Sequence, residues 1–216
     1  MKIAIVGSTG FVGARLLQEA LARGHDVTAI TRSPAKLPKE SRLRAVSADV
    51  NDVPALTEAF KGQDAVIHAY APPRSDSIDA RIEQQTKATK SIIAALKAAR
   101  VKRLLAVGGA GTSEIAPGVA LMDSYLFPKA YEGGARSTAV IKALLKAESD
   151  LDWTYLCPPH FLEPGERTGR YRLGQDNLII ELETGRSHLS TADYAVAMID
   201  ELETPKHTRQ RFTVGT

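Results

Sequence analysis

The sequence predicts an α/β fold in which helices cover both faces of a doubly wound parallel sheet. A strand, a glycine-rich turn and a helix follow one another in the first 22 residues. Beyond them, short apolar strands alternate with helical segments along the rest of the chain. No repeat, linker or low-complexity tract interrupts this alternation. Residues 1–216 are therefore interpreted as a single domain with a small C-terminal extension on the substrate side.

The first turn has the glycine spacing of a dinucleotide-binding loop. Residues 2–6 form an apolar run typical of a buried strand, and helical periodicity follows over residues 11–22. The first glycine permits a tight turn, the second lets the backbone approach a pyrophosphate, and the third allows close packing of helix on strand. Phosphates would face the positive end of the helix, as in a Rossmann-like fold, although an ordinary turn with incidental glycines is the alternative. The loop residues predicted to bind cofactor are Gly7, Ser8, Thr9, Gly10, Phe11 and Val12, with Gly13 as the packing glycine.

Composition and charge argue against several classes of partner. The 28 Lys and Arg residues are scattered and the net charge is only +3, so no nucleic-acid surface is expected. No apolar run approaches the roughly 20 residues of a membrane span, and the N-terminal run is strand-like rather than a signal peptide. The single cysteine, Cys157, fits a reducing cytoplasm and a buried, inert thiol. The prediction is a cytoplasmic monomer or homodimer that acts on a small molecule and has no metal site.

The second and third strands, predicted at residues 25–30 and 43–47, concern the adenosine end of the cofactor. The second strand ends at Arg32 and Ser33, where a Rossmann fold meets the adenosine ribose. A guanidinium there suits a 2′-phosphate, so NADP(H) is preferred to NAD(H), with a solvated loop arginine as the alternative. Asp49, followed by Val50, either accepts a hydrogen bond from the adenine amino group or caps the helix at residues 53–60.

The fourth strand, residues 64–68, borders the crevice where the strand order of such a sheet reverses. Ala69 is small enough to let the cofactor ribose pass, and Tyr70 is a candidate for lining the site. His68 continues the buried strand and is interpreted as a core histidine rather than a catalyst. A long amphipathic helix is predicted at residues 75–99.

Glycines also follow the fifth strand, residues 103–107. Gly108 and Gly109 would let a nicotinamide and a flat substrate lie against the backbone, unless the stretch is only a flexible linker. The sixth strand, residues 152–156, ends near Pro158, which is assigned to the cofactor site, and near His160. The remaining segments predicted are an irregular connection at 114–128, a helix at 130–146, a charged turn at 163–169 beside the substrate, a small strand pair or loop at 171–182, a helix at 193–202 and a last strand at 211–214.

With these motifs in place, the chain resembles the atypical short-chain dehydrogenase/reductases, and within them the NADH-flavin reductase type with an NAD(P)H-binding domain. The most specific segments are VGGAGTSEIAPG at 107–118, EPGERTGRY at 163–171 and DYAVAMIDELETP at 193–205. The stretch LDWTYLCPPH is similar to the corresponding part of biliverdin-IXβ/flavin reductases. The resemblance implies a nicotinamide dinucleotide as cofactor, and a flavin or similar flat acceptor as a substrate rather than a tightly bound group.

Two candidates for catalysis remain at this point. Tyr125 and Lys129 match the Tyr-x-x-x-Lys pair of standard short-chain dehydrogenases, in which both residues share one helical face. Pro128 disfavours that arrangement, because as a helix-starting residue it leaves Tyr125 outside the helix. His160 is a candidate proton donor or hydrogen-bonding group toward the substrate, with a surface histidine beside a Pro-Pro turn as the alternative.

Three functions therefore stay open. The preferred one is an NAD(P)H-dependent reductase, because hydride transfer to a flavin needs positioning more than acid–base side chains. The second is a redox sensor that binds the dinucleotide without turnover and regulates a partner. The third is a standard dehydrogenase or epimerase that uses Tyr125 and Lys129.

Overall fold

The computed structural model describes residues 1–75, 77–125 and 127–216, and it contains one large sheet with helices on both faces. The strands of the large sheet are β1 (Lys2–Val6), β2 (Asp26–Thr31), β3 (Leu43–Ser47), β4 (Ala65–His68), β5 (Arg103–Val107), β8 (Asp152–Cys157), β10 (Arg172–Gly174) and β12 (Gln210–Gly215). Four short strands form two separate pairs, β6 (Glu114–Ala116) with β7 (Val119–Ala120) and β9 (Phe161–Glu163) with β11 (His188–Ser190). The helices are α1 (Gly13–Ala22), α2 (Val53–Phe60), α3 (Ile78–Ala99), α4 (Lys129–Lys146) and α5 (Thr191–Glu203).

The order of the large sheet is β10-β12-β8-β5-β4-β1-β2-β3. All its neighbouring strands are parallel except β10, which pairs antiparallel with β12 at one edge. The predicted Rossmann-like fold class is confirmed, and the strand order reverses between β1 and β4 as such a fold requires. The carboxyl ends of the central strands therefore meet at one edge of the sheet.

Residues 171–182, predicted as a small strand pair or loop, contain the edge strand β10, which pairs with β12 rather than within the segment. Arg172 pairs with Gly215, and Gly174 pairs with Thr213 of β12. A strand of three residues carries too little alternation to be recognised in the sequence. It nonetheless covers the otherwise open edge of β12, which makes the sheet mixed rather than wholly parallel.

Helix boundaries follow local chemistry. Helix α1 begins at Gly13 rather than at residue 11, because the Gly10 N–H first closes a turn on the Gly7 carbonyl at 3.0 Å. Helix α3 begins at Ile78 rather than at residue 75. Ser77 caps this helix, because its hydroxyl accepts a hydrogen bond from the Ala80 N–H in the first turn. Residue 76, part of the predicted helix, lies outside the described residues. Helix α4 begins directly after Pro128.

The connection predicted as irregular at 114–128 contains the β6–β7 hairpin; its residue 126 lies outside the described residues. This hairpin is tied to the C-terminal part of the chain. The Glu114 N–H donates to the Asp176 carbonyl at 2.8 Å, and the Leu178 N–H donates to the Glu114 carbonyl at 2.9 Å. The segments after β5 and after β8 therefore pack together beyond the end of the sheet.

Two apolar cores lie on the two faces of the sheet. On one face, α2, α3 and α4 cover β-strand residues such as Val66 and Leu104. On the other, α1 packs beside α5 over residues such as Ile5 and Leu156. Within the described ranges, none of the helices is both long enough and apolar enough to cross a membrane.

The charged turn at 163–169 is fastened to the α1–α5 face. Arg167 donates two hydrogen bonds, of 2.7 and 2.8 Å, to the carboxylate of Glu19, which is only 4% exposed. The buried carboxylate of Asp193 accepts from the Thr168 N–H, the Thr168 hydroxyl and the Gly169 N–H at 2.7–2.8 Å. Because both anchors are buried acidic side chains, the turn has a fixed place against the two helices.

Candidate functional site

A cleft of about 790 Å³ runs along the carboxyl ends of β1, β2, β4 and β5, and extends to the residues that follow β3. It spans the reversal of strand order between β1 and β4, which is where open α/β sheets bind their ligands. Its volume lies within the range of about 300–1,000 Å³ that small-molecule sites occupy.

The cleft brings together most of the residues predicted to bind a dinucleotide. The predicted residues that line it are Gly7, Thr9, Gly10, Phe11, Val12, Arg32, Asp49, Val50, Ala69, Tyr70 and Gly108. They follow five separate strands, β1 to β5. Their convergence is a consequence of the parallel sheet, which turns all these ends toward the same edge.

Two glycines of the glycine-rich loop, Gly7 and Gly13, leave no space for a side chain. Gly7 has a φ of +88°, and a Cβ there would lie 2.7 Å from the Ala69 carbonyl oxygen. A Cβ on Gly13 would lie 2.1 Å from the Gly7 carbonyl oxygen. Within the described chain no side chain caps α1, and its first turn carries no acidic residue. The backbone of this loop and the positive end of α1 thus fit the pyrophosphate of a dinucleotide.

At the β2–β3 end of the cleft, Arg32 is exposed and Tyr70 is half-buried. Burial raises the pKa of Tyr70, while Arg32 lowers it and Asp49 raises it, so all three side chains share one neighbourhood. One Asp49 carboxylate oxygen accepts from the Asn51 N–H at 2.8 Å, and the helix cap is Asp52 instead. Asp49 therefore belongs to a turn and still lines the cleft, where a carboxylate can meet an amino group.

At the β5 end, the cleft is bounded by Gly108 and by Thr138 of α4. A Cβ on Gly108 would lie 2.7 Å from the ring of Tyr155. The Tyr155 hydroxyl is fully buried, accepts from the Gly109 N–H at 3.2 Å and donates to the Thr138 carbonyl at 3.0 Å. The glycine turn is thus held between a buried tyrosine and a helix, rather than being a flexible linker.

Four residues assigned to the cofactor are placed outside the described lining of the cleft. Ser8 is buried and lines a separate groove between α1 and residues 36–40. The Ser33 N–H donates to the Thr31 hydroxyl at 3.1 Å. Gly109 lies against Thr138, and Pro158 is buried just after β8.

The catalytic candidates are also outside the described cleft lining. The His160 ring packs edge-to-face on the Phe161 ring, with centroids 4.4 Å apart. The backbone N–H of His160 donates to the Ser187 hydroxyl. Burial lowers the pKa of His160, which favours its neutral form. Tyr125 is 94% exposed and precedes the first residue of α4, Lys129, so the two do not lie on one helical turn.

His68 is a core histidine, as the sequence indicates. It is fully buried, its Nε2 lies 3.1 Å from the Thr89 hydroxyl and 3.3 Å from the Gln85 amide nitrogen, and burial lowers its pKa to about 4. A neutral histidine in such a network fixes β4 against α3 rather than exchanging protons with a ligand.

Helices α3 and α4 contribute lining residues that sequence reasoning missed. These are Ala80, Glu83, Gln84 and Lys87 of α3, and Thr138 and Ile141 of α4. In α3 their spacing of three and four residues places them on one face of the helix. The signal in the sequence is a polar stripe at that spacing, but solvent-facing stripes have the same pattern.

Residues 7–205 match the family described as NAD(P)H-binding. YwnB of Bacillus subtilis, an uncharacterized protein, is 40% identical over 218 residues, which cover 99% of this chain and 98% of YwnB. A candidate epimerase from Bacteroides thetaiotaomicron is 44% identical, with a TM-score of 0.90 over 99% of this chain and 96% of that structure. A candidate NADH-flavin reductase from Streptococcus pneumoniae is 31% identical, with a TM-score of 0.86 over 100% and 99% of the two chains.

Proposed function

Because this chain belongs to the NAD(P)H-binding family of oxidoreductases, we propose that it is an NADPH-dependent reductase of a flavin or a similarly flat, conjugated acceptor. The observation that carries the proposal is the composition of the cleft at the end of β5. The described residues that line it there are Val107, Gly108, Thr138 and Ile141, and none of them titrates. These four residues can position two flat rings, and they include no acid–base pair for an alcohol or a sugar. The titrating residues of the lining, such as Tyr70, Glu83 and Lys87, follow β4 or lie on α3 instead.

The chain's own residues have simple roles in this reaction. The loop from Gly7 to Gly13 would hold the pyrophosphate with backbone N–H groups. Gly108 lines the other end of the cleft without a side chain, because Tyr155 and the Leu156 carbonyl occupy the space that a Cβ would need. When bound there, a reduced nicotinamide dinucleotide would supply the hydride that reduces the acceptor ring. The protein contributes orientation and exclusion of water.

Arg32 supports NADPH as the form of cofactor used. It lies at the end of β2, is exposed and lines the cleft, where the adenosine ribose of a dinucleotide is expected. Arginine binds phosphate oxygens in a bidentate manner, and a carboxylate at this position would instead favour the 2′-hydroxyl of NADH. The similarity to the candidate NADH-flavin reductase of S. pneumoniae supports the choice of acceptor.

The test is NADPH oxidation followed at 340 nm with FMN, FAD, riboflavin, quinones and redox dyes as acceptors in turn. The proposal expects acceptor-dependent oxidation with at least one flavin. Tight NADPH binding without turnover on any acceptor would instead support the sensor function. Activity on an alcohol or sugar that disappears in Tyr125→Phe would support the standard dehydrogenase or epimerase.

A further inference from the structure

Thr138 is the polar side chain that α4 places at the β5 end of the cleft. It is partly buried, and its hydroxyl oxygen lies 2.9 Å from the Ala135 carbonyl and 3.2 Å from the Gly134 carbonyl. The hydroxyl proton is therefore directed into the helix, toward backbone acceptors one turn earlier. Its oxygen keeps lone pairs, so toward a ligand this hydroxyl acts as a hydrogen-bond acceptor.

The position of Thr138 is fixed from two sides. A Cβ on Gly109 would lie 2.1 Å from the Thr138 hydroxyl oxygen, so this hydroxyl packs directly on the glycine backbone. Behind it, the buried Tyr155 hydroxyl links the Gly109 N–H to the Thr138 carbonyl. A side chain held by a glycine contact and a buried hydrogen-bonded bridge loses little freedom when a ligand binds.

The sheet order separates Thr138 from the arginine that would bind the 2′-phosphate. Arg32 follows β2, and Thr138 packs on Gly109, the second residue after β5, with β1 and β4 between those strands. Three steps between neighbouring strands correspond to about 14 Å. A dinucleotide anchored at Arg32 and at the Gly7 loop would therefore bring its nicotinamide half, and not its adenosine half, to Thr138.

We propose that the Thr138 hydroxyl binds the nicotinamide half of the cofactor by accepting a hydrogen bond from its carboxamide N–H or ribose O–H. This inference rests on the proposed NADPH-dependent function. It assigns to α4 a contact that holds the nicotinamide ring against Gly108, which is the orientation that hydride transfer requires. In this role Thr138 is a cofactor-binding residue that offers the ligand a neutral acceptor.

The experiment measures dissociation constants by calorimetry for two ligands, NADP⁺ and adenosine 2′,5′-bisphosphate, which lacks the nicotinamide half. Thr138→Val keeps the shape and removes the oxygen, and Thr138→Ser keeps the oxygen. The matched control is Thr86→Val, since Thr86 on α3 donates to the Ile82 carbonyl in the same way but lies outside the described cleft lining.

The expected result is that Thr138→Val weakens NADP⁺ binding by about 3- to 10-fold, the loss of one hydrogen bond, and leaves the bisphosphate unchanged. Thr138→Ser and Thr86→Val should bind NADP⁺ within about 2-fold of the parent protein. Equal weakening of both ligands, or no change for NADP⁺, would overturn the inference while leaving the proposed function intact. A parent protein that binds neither ligand would overturn both.

Discussion

The carbonyl oxygen of Gly7 lies 2.1 Å from the point that a Cβ on Gly13 would occupy. This contact joins the end of β1 to the first residue of α1, and it brings the helix terminus against the turn. The same turn needs a left-handed conformation at Gly7. The two glycines therefore set the angle at which α1 presents its N–H groups to the cleft, which is the basis of the proposed pyrophosphate site.

Replacing the packing glycine should damage both stability and binding. Gly13→Ala would force the first turn of α1 away from the Gly7 carbonyl and should lower the free energy of unfolding by about 1–3 kcal/mol. The protein that still folds should no longer bind NADP⁺. The matched control is Gly134→Ala in α4, where the nearest atom to the new Cβ is the end of the Arg81 side chain at 3.6 Å. Urea denaturation should show Gly134→Ala to be neutral or more stable by up to about 1 kcal/mol. Equal effects of the two substitutions would contradict the packing argument.

Arg32 should decide between the two nicotinamide cofactors. Arg32→Gln removes the guanidinium at the end of β2, and charged hydrogen bonds to a phosphate contribute about 1.5–3 kcal/mol each. The affinity for NADPH should fall by about 10- to 100-fold while that for NADH changes little, as measured by fluorescence titration. Arg44→Gln serves as the control, because Arg44 lies on β3 outside the described cleft lining. An equal loss of affinity for NADH would show that Arg32 does not bind the 2′-phosphate.

The glycine loop, the order of strands and helices, and several boundaries could be predicted from the sequence. Residues 43–47, 53–60 and 103–107 match β3, α2 and β5, because apolar runs and turn residues mark these elements locally. Strand β10 could not be found, since its pairing with β12 depends on contacts across some forty residues of chain.

The cleft was predictable only in part, for a similar reason. Gly7, Arg32, Asp49 and Gly108 follow strands, and parallel strands send their ends to one place. Thr138 and the polar stripe of α3 reach the cleft only through the way whole helices pack on the sheet, which local periodicity does not reveal. Ser8 lines the separate groove beside α1, and glycine spacing alone does not reveal on which side of the loop each side chain lies.

The Tyr155 hydroxyl should stabilise the protein more than that of Tyr194. Tyr155→Phe leaves the partly buried Gly109 N–H without its acceptor and the Thr138 carbonyl without this donor, at a cost of about 1–3 kcal/mol. Tyr194→Phe removes a donor to the Leu156 carbonyl, which still accepts from the Gly108 N–H at 2.8 Å, so its cost should be about 0.5–1.5 kcal/mol. Urea denaturation of both variants measures the difference. A larger loss of unfolding free energy in Tyr194→Phe than in Tyr155→Phe would mean that the hydrogen bonds of the Tyr155 hydroxyl contribute little to stability.

The contact between Arg167 and Glu19, which anchors the 163–169 turn, should make the stability of the protein depend on pH in the acidic range. Hydrogen bonding from Arg167 holds the pKa of Glu19 below its ordinary value of 4.5, although burial acts in the opposite direction. Because the pKa of Glu19 is lower in the folded protein, the stabilisation by its carboxylate is fully present above pH 4.5. It is lost as the pH falls through the pKa that Glu19 has in the folded protein.

Glu19→Gln should therefore be less stable than the parent protein at neutral pH, by about 1–3 kcal/mol, and the gap should narrow in acid. Urea denaturation at pH values above and below 4.5 measures this change. Glu58→Gln is the control, because Glu58 pairs with Lys61 on the exposed surface and should change stability little at either pH. A gap between Glu19→Gln and the parent that stays constant with pH would contradict the role of the carboxylate charge.

The measurement that tests the proposed reaction most directly is the rate of flavin-dependent oxidation of NADPH that carries deuterium at C4 in either the R or the S position. A cleft that fixes the nicotinamide ring against Gly108 exposes one of its faces to the acceptor. The expected result is a primary kinetic isotope effect with one of the two labelled cofactors and none with the other. Acceptor-independent oxidation, or equal isotope effects for both labels, would contradict direct hydride transfer in this cleft.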